Sequence, residues 1–270
     1  MISFRSLRSG SSGNLLLLEN RTSRRRTRVL IDCGLRSQRE CCRILEEEVG
    51  LSEPLDGLVV THAHGDHINY AALRVLSRLR VPIHAHHRTA REISARSLSP
   101  YRLPASVDPR DIHLLRFGDE PFEIGSFTFT PLPVPHAPGV TTHAFLISHA
   151  HWRILVASDF NNPEAVVPHI YDCDFIYVES NHDLELLRRH FNPASLFHLS
   201  NPAAGQLLHH ALDHSRRMPR AIMLAHLSAD RNHPEIALAT VKEALGSHGA
   251  HVPLITAPRY GASEPVIVVE

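Results

Sequence analysis

The sequence predicts an α/β fold in which two β-sheets pack face to face with helices outside them. Three observations lead there. Short apolar runs alternate with segments of helical periodicity along nearly the whole chain. The two halves repeat one plan, strand meanders with helices interspersed, so each half supplies a sheet that needs covering. No linker or shift in composition divides the 270 residues, a length that fits a single domain over 1–270.

The elements follow in order. Ile2 to Ser6 and Leu15 to Glu19 read as strands around the loop Ser9-Gly10-Ser11-Ser12-Gly13-Asn14, and Arg28 to Asp32 reads as a third, ending in the turn Cys33-Gly34. Arg39 to Val49 has helical periodicity and stops at Gly50, a fitting C-terminal residue. Leu58 to Val60 is a short buried strand, Tyr70 to Leu79 a helix, Val81 to His84 a strand and Arg88 to Arg96 a helix. Between Ile112 and Val134, β-type runs cut by prolines and glycines suggest an antiparallel meander. The second half gives strands at Ala144 to Ser148, Arg153 to Ser158 and Phe175 to Val178, then helices near Leu184 to His190 and Ala203 to Arg216. A strand at Ala221 to Ala225, a helix at Pro234 to Leu245 and strands at Val252 to Thr256 and Val266 to Val269 close the chain.

Composition excludes several classes. The 43% hydrophobic and 21% charged fractions are those of an ordinary soluble globule, neither disordered nor membrane-embedded. No apolar stretch approaches the roughly 18 residues that span a bilayer. The N-terminus lacks the apolar core of a signal peptide, and the cysteines (Cys33, Cys41, Cys42, Cys173) show no CxxC spacing. The cytoplasm is therefore the expected compartment. Net charge is +0, so nucleic acid would have to meet a local patch rather than a global field. Lys242 is the only lysine; Arg21 to Arg28 holds five arginines, read as a solvated hairpin tip.

The chemistry concentrates at Thr61-His62-Ala63-His64-Gly65-Asp66-His67, directly after Leu58-Val59-Val60. Four candidate ligands, His62, His64, Asp66 and His67, fall within six residues at the mouth of a strand. Three imidazoles and a carboxylate are the donors a divalent transition metal prefers. The i, i+2 spacing of the leading histidines suits a strand end, where alternate residues share a face. Helical zinc-protease signatures place them four apart instead. Three later residues also sit where apolar strands end: His136 after Leu132-Pro133-Val134-Pro135, Asp159 after Ile154 to Ser158, and His226 after Ile222 to Ala225. The other histidine clusters, at His84 to His87 and His209 to His214, read as non-ligating.

The order HxHxDH, His, Asp, His along a strand-rich chain resembles the metallo-β-lactamase superfamily. That resemblance implies a four-layer αβ/βα sandwich with two divalent metal ions at one edge. His62, His64 and His136 would hold one ion, Asp66, His67 and His226 the other, and Asp159 would bridge them. Zinc is the first expectation, with manganese or iron as alternatives. His64 stands where oxygen-reducing diiron members generally carry glutamate, which points to hydrolysis. A bridging carboxylate, where zinc β-lactamases use cysteine, leans away from antibiotic hydrolysis. Ser9 to Asn14, Glu179-Ser180-Asn181-His182-Asp183, His198-Leu199-Ser200-Asn201, Leu224 to Ser228, Asn232 to Glu235 and Ala257-Pro258-Arg259 further resemble the YycJ/WalJ group, which is associated with exonuclease activity on double-stranded DNA.

The implied chemistry is a shared water whose pKa drops from about 15.7 toward about 7, attacking phosphorus in line. Asp66 would hold that nucleophile, and His182 would protonate the leaving oxygen. Ser11, Ser12 and Asn14 of the glycine-bearing loop, with Arg231 and Arg259, are the expected phosphate contacts. The expected partner is DNA or another phosphodiester, with no membrane and no obligate protein partner. A small-molecule phosphodiesterase or thioester hydrolase on the same centre is the alternative, and a non-catalytic regulatory metal-binding protein a further one.

Overall fold

The computed structural model describes residues 1–23, 25–97 and 112–269. Its contacts group into two compact units: Met1–Phe127 with Tyr260–Glu270, and Thr128–Arg259. Each carries a mixed sheet with its own helices, the α/β class the sequence predicts.

The first unit holds β1 (Ile2–Arg8), β2 (Leu15–Arg21), β3 (Arg26–Ile31), β4 (Gly57–Val60), β5 (Ile83–His86), β6 (Leu114–Phe117) and β14 (Val266–Val269), in the order β14-β1-β2-β3-β4-β5-β6. Loop length dictates direction. Short turns join β1 to β2 and β2 to β3, and these pairs are antiparallel. From β3 to β6 every pair is parallel, because each connection is a crossover carrying a helix. Those helices are α1 (Gln38–Ile44), α2 (Tyr70–Arg78) and α3 (His87–Ser97). The core of this unit is aliphatic. Leu30, Leu58, Val60 and Ile83 are fully buried, each contributing about 1.5–3 kcal/mol by leaving water.

The second sheet runs β13-β12-β11-β10-β9-β8-β7, with β7 (Phe122–Ile124) the hairpin strand beside β8 (Phe127–Val134). β9 (Thr142–His149) and β10 (Trp152–Ala157) continue antiparallel; β11 (Phe175–Glu179), β12 (Ala221–Ala225) and β13 (Leu254–Thr256) are parallel to β10. Its helices are α4 (Val167–Ile170), α5 (Leu184–Arg189), α6 (Asn201–His214) and α7 (Pro234–Leu245). Parallel strands in both units thus deliver their carboxyl ends to connecting loops, where α/β sheets place their ligands.

Two expectations are corrected. The region from Ile112 to Val134 is not one meander. β6 joins the first sheet parallel to β5, whereas β7 and β8 belong to the second. The helix expected over 39–49 is α-helical only to Ile44 and continues as a π-helical turn, Leu45–Val49, ending at Gly50 with φ 72°. Arg28 explains that ending. Its buried guanidinium donates to the carbonyls of Val49, Gly50 and Glu53 and pairs with Glu19 at 3.2 Å, placing positive charge on the helix C-terminus. The other described members of the arginine run beyond Arg21 are likewise engaged, Arg25 with Asp56 and Arg26 with Glu19 and Glu53. Arg24 lies outside the described residues.

Candidate metal centre

In the first unit, the chain leaves β4 at Val60 and turns at once. The amides of His67 and Ile68 both donate to the His64 carbonyl, at 3.0 and 2.9 Å. This fold-back gathers the imidazoles, with ring centres of His62 lying 4.6 Å from His64 and 4.1 Å from His67. Asn69 then caps α2 through the amide of Ala72 and donates to the carbonyls of Gly65 and Leu35. Asn14 holds the turn from the other side. Its amide and side chain both donate to the Asp66 carbonyl, at 2.8 and 3.1 Å. Gly34 is required here, since a Cβ on it would lie 1.7 Å from that same oxygen.

A residue the sequence reading passed over organises this loop. Asp32, at the end of β3, is 2% exposed and accepts from the Thr61 amide at 2.9 Å, the Thr61 hydroxyl at 2.9 Å and His67 Nδ1 at 2.8 Å. A carboxylate at Nδ1 fixes the proton there and leaves the lone pair on Nε2, which accepts from the Asn14 side chain at 3.0 Å. Asn14 is therefore spent on positioning the loop. Ser11 is exposed, and its carbonyl accepts from Arg36 at 3.0 Å; Ser12 is half-buried.

The second unit repeats the device. His136, Asp159 and His226 follow β8, β10 and β12, and the structure brings them together around a further pair, Glu179 and His198. Glu179 ends β11, is fully buried and accepts from His198 Nδ1 at 2.6 Å, His226 Nδ1 at 3.2 Å and the Phe160 amide at 3.1 Å. His136 Nδ1 donates to the Phe197 carbonyl at 3.0 Å. In both His136 and His226 it is again Nε2 that turns toward Asp159 Oδ1, at 3.9 and 3.5 Å. Asp159, Glu179, His198 and His226 each offer a donor atom within 4.8 Å of the others.

Backbone strain marks the same places. Asp32, Asp159 and His226 have φ of 57°, 59° and 52°. A left-handed residue other than glycine costs about 1–3 kcal/mol, and such strain collects at functional sites. Each follows a strand and redirects the chain so that its side chain stays at the sheet edge.

Electrostatics separate two histidines. His182 is buried, and that burial pushes its imidazole below the ordinary value, toward the neutral form. Burial acts the same way on His198, but the Glu179 carboxylate outweighs it and holds His198 above the ordinary value. Burial by itself raises the Glu179 carboxyl; His198 and His226 hold it below. Of the basic residues singled out in the sequence, Arg231 donates to the His190 carbonyl at 2.9 Å and Arg259 to the Leu227 carbonyl at 2.6 Å. Arg231 follows His226 closely in sequence and Arg259 bonds the residue after it, but both are partly committed to the backbone.

The donor chemistry fits divalent ions, because carboxylate or carbonyl partners at Nδ1 prepare His67, His136 and His226 to ligate through Nε2. Asp32 and Glu179 carry the sequence signal used for Asp159, an apolar strand running into a carboxylate. His198 carries no such signal.

Comparison with known proteins identifies the family. A profile of the beta-lactamase superfamily domain matches residues 27–226. The chain is 28% identical over 245 residues to the exodeoxyribonuclease WalJ of Streptococcus pneumoniae strain D39, covering 87% of this chain and 85% of that protein. It is 25% identical over 269 residues to the exodeoxyribonuclease YycJ of Bacillus anthracis, covering 91% and 90%. Among solved structures, the metallo-beta-lactamase fold protein YhfI from Bacillus subtilis superposes with a TM-score of 0.67 at 18% identity, covering 97% and 99% of the two chains.

Proposed function

Because this chain belongs to the β-lactamase superfamily and is a metal-dependent hydrolase, we propose that it is a two-metal phosphodiesterase that removes nucleotides from DNA. One observation carries the reading: two buried carboxylates, Asp32 and Glu179, each orient a histidine of the expected ligand set through Nδ1. In this reading His62, His64 and His136 hold one ion and Asp66, His67 and His226 the other, with Asp159 shared. Zinc is preferred, and manganese or iron suits the same donors. The DNA assignment draws on the exodeoxyribonuclease names of the relatives.

Divalent ions bound there supply Lewis acidity, lowering the pKa of water toward about 7 and offsetting charge on phosphoryl oxygens. The chain's own groups do the rest. The Asp66 carboxylate accepts a hydrogen bond from the attacking water and fixes its direction. His198, whose imidazole the Glu179 carboxylate holds above its ordinary value, donates the proton that the leaving oxygen needs; burial pushes His182, the donor expected from the sequence, the other way. Ser11, Ser12, Arg231 and Arg259 contact the flanking phosphates through hydroxyls and the N–H groups not spent on carbonyls. Among the described residues no helix is long and apolar enough to cross a membrane.

A second reading, a phosphodiesterase for a small molecule, is favoured by the zero net charge and by the pairing of Arg25, Arg26 and Arg28 of the arginine run with Asp56, Glu53 and Glu19. The deciding experiment supplies the metal-loaded protein with end-labelled duplex DNA, a nucleoside cyclic monophosphate and bis(p-nitrophenyl) phosphate. The proposal expects stepwise shortening of DNA that is lost in Asp66→Ala. Turnover of only the small esters would leave the second reading in front, and full activity in a folded Asp66→Ala protein would remove the site from catalysis.

A further inference from the structure

Beside the His62 to His67 loop, and wholly within the first unit, lie two adjoining cavities of about 510 and 500 Å³. They share Gly65, Asn69 and Tyr70 as walls. The first is completed by the polar side chains of Ser11, Arg36 and Asp66, set in a lining that is otherwise mostly apolar. The second is apolar at its base, with Ala63, Ile68 and Ile93, and has Arg96 at its rim. Both volumes fall in the range of about 300–1,000 Å³ typical of small-molecule sites.

Tyr70 joins the two. Its ring is steadied by Arg74, whose guanidinium sits 5.6 Å over the ring centre one helical turn later. Its hydroxyl is buried and has no hydrogen-bond partner among the described residues. A buried phenol without a partner is costly, and phenols normally find one. Arg36 is exposed and points one arm at the Ser11 carbonyl, which holds the guanidinium at the first cavity. A cation and an aromatic wall, next to Asp66, form an arrangement that the hydrolytic chemistry itself does not use.

We propose that these cavities form a nucleotide subsite, in which Arg36 takes the phosphate of a terminal deoxynucleotide and the Tyr70 ring carries its base. This rests on the phosphodiesterase reading above and deepens it: the subsite seats one end of the chain being cut, at a fixed distance from Asp66. Stacking on an aromatic is tolerant of sequence because every base has a π-face, so the subsite selects a nucleotide without selecting which one.

The test measures binding of thymidine 5′-monophosphate and of 2-deoxyribose 5-phosphate to the metal-loaded protein by calorimetry. Attraction of phosphate to metal is common to both ligands and cancels in their ratio. The wild type should prefer the nucleotide by at least about fivefold, the lower end for stacking on an aromatic. Tyr70→Ala should bring the two affinities together, and Tyr70→Phe should keep most of the preference. Arg36→Ala should weaken both ligands at least about tenfold, as expected for a lost charge-assisted contact. Equal affinities in the wild type, a preference that survives Tyr70→Ala, or wild-type binding in Arg36→Ala would overturn the proposal. Should Tyr70→Ala fail to fold, the wild-type ratio and Arg36→Ala still decide it. Turnover of bis(p-nitrophenyl) phosphate by the same preparation reports on the phosphodiesterase reading alone. If turnover holds and the preference is absent, only the subsite falls; if turnover is absent and the preference holds, the subsite stands on a protein of other chemistry.

Discussion

Replacing Asp32 with asparagine isolates the orienting role of a carboxylate that touches no expected ligand except His67. Asparagine keeps the shape and tolerates the left-handed φ of 57°, so the backbone has no reason to move. What changes is one oxygen. With its remaining oxygen toward the Thr61 amide, which Asp32 Oδ1 now meets at 2.9 Å, the new NH2 faces His67 Nδ1, which Asp32 Oδ2 now meets at 2.8 Å. Two donors then confront each other. The ring relieves this by moving its proton to Nε2, the atom needed for the metal. A hydrogen bond to a charged group is worth about 1.5–3 kcal/mol, which at about 1.4 kcal/mol per decade is roughly 10–150-fold. Loss of an outer carboxylate typically costs 10–100-fold in metal affinity, in the same range. Metal affinity measured by chelator competition should therefore fall by about one to two decades for the ion proposed to sit on His67, with circular dichroism unchanged. Wild-type affinity for both ions in a folded Asp32→Asn protein would refute the reasoning.

Three further outcomes follow from the same geometry. His198→Ala should slow DNA cleavage by about 10²–10⁴-fold, the usual contribution of a proton donor, yet barely slow bis(p-nitrophenyl) phosphate, whose leaving group needs no proton; equal losses on both substrates would count against the donor role. Gly34→Ala should displace the loop at Asp66 and lower stability by about 1–3 kcal/mol, seen in denaturant melts together with lost metal binding. His84 is held to about 4, chiefly by burial and secondarily by His113. Its unfolded form takes a proton near pH 6.5 while the folded form does not, so the chain should lose stability as pH falls from about 6.5 to about 4. In His84→Asn the difference between melting temperatures at pH 7 and pH 5 should shrink; an unchanged difference would show that other groups set it.

Short-range information determined much of this protein from sequence alone. Strand periodicity, loop length and capping residues act over a few positions, so most strands and the helices at α2, α3, α5, α6 and α7 were legible, as was the fold class. The HxHxDH loop was legible for the same reason, since its donors lie within one turn of chain. So were His136, Asp159 and His226, each announced by an apolar strand that stops. Asp32 and Glu179 were open to that same signal, but their tasks were not, because a hydrogen bond between Asp32 and His67 crosses 35 positions and one between Glu179 and His226 crosses 47. Only the folded chain decides which Nδ1 meets which carboxylate. It likewise decided that the His198 imidazole is held above its ordinary value while that of His182 is pushed below, a difference made by burial and by the hydrogen bond to Glu179 rather than by residue type. The arginine run makes the point in reverse. In sequence it is a block of positive charge; in the structure Arg25, Arg26 and Arg28 are paired with carboxylates at Asp56, Glu53 and Glu19 that only strand pairing and loop return bring within reach. Residue type fixes what a side chain can do, and tertiary contacts set its proton, its tautomer and its partner.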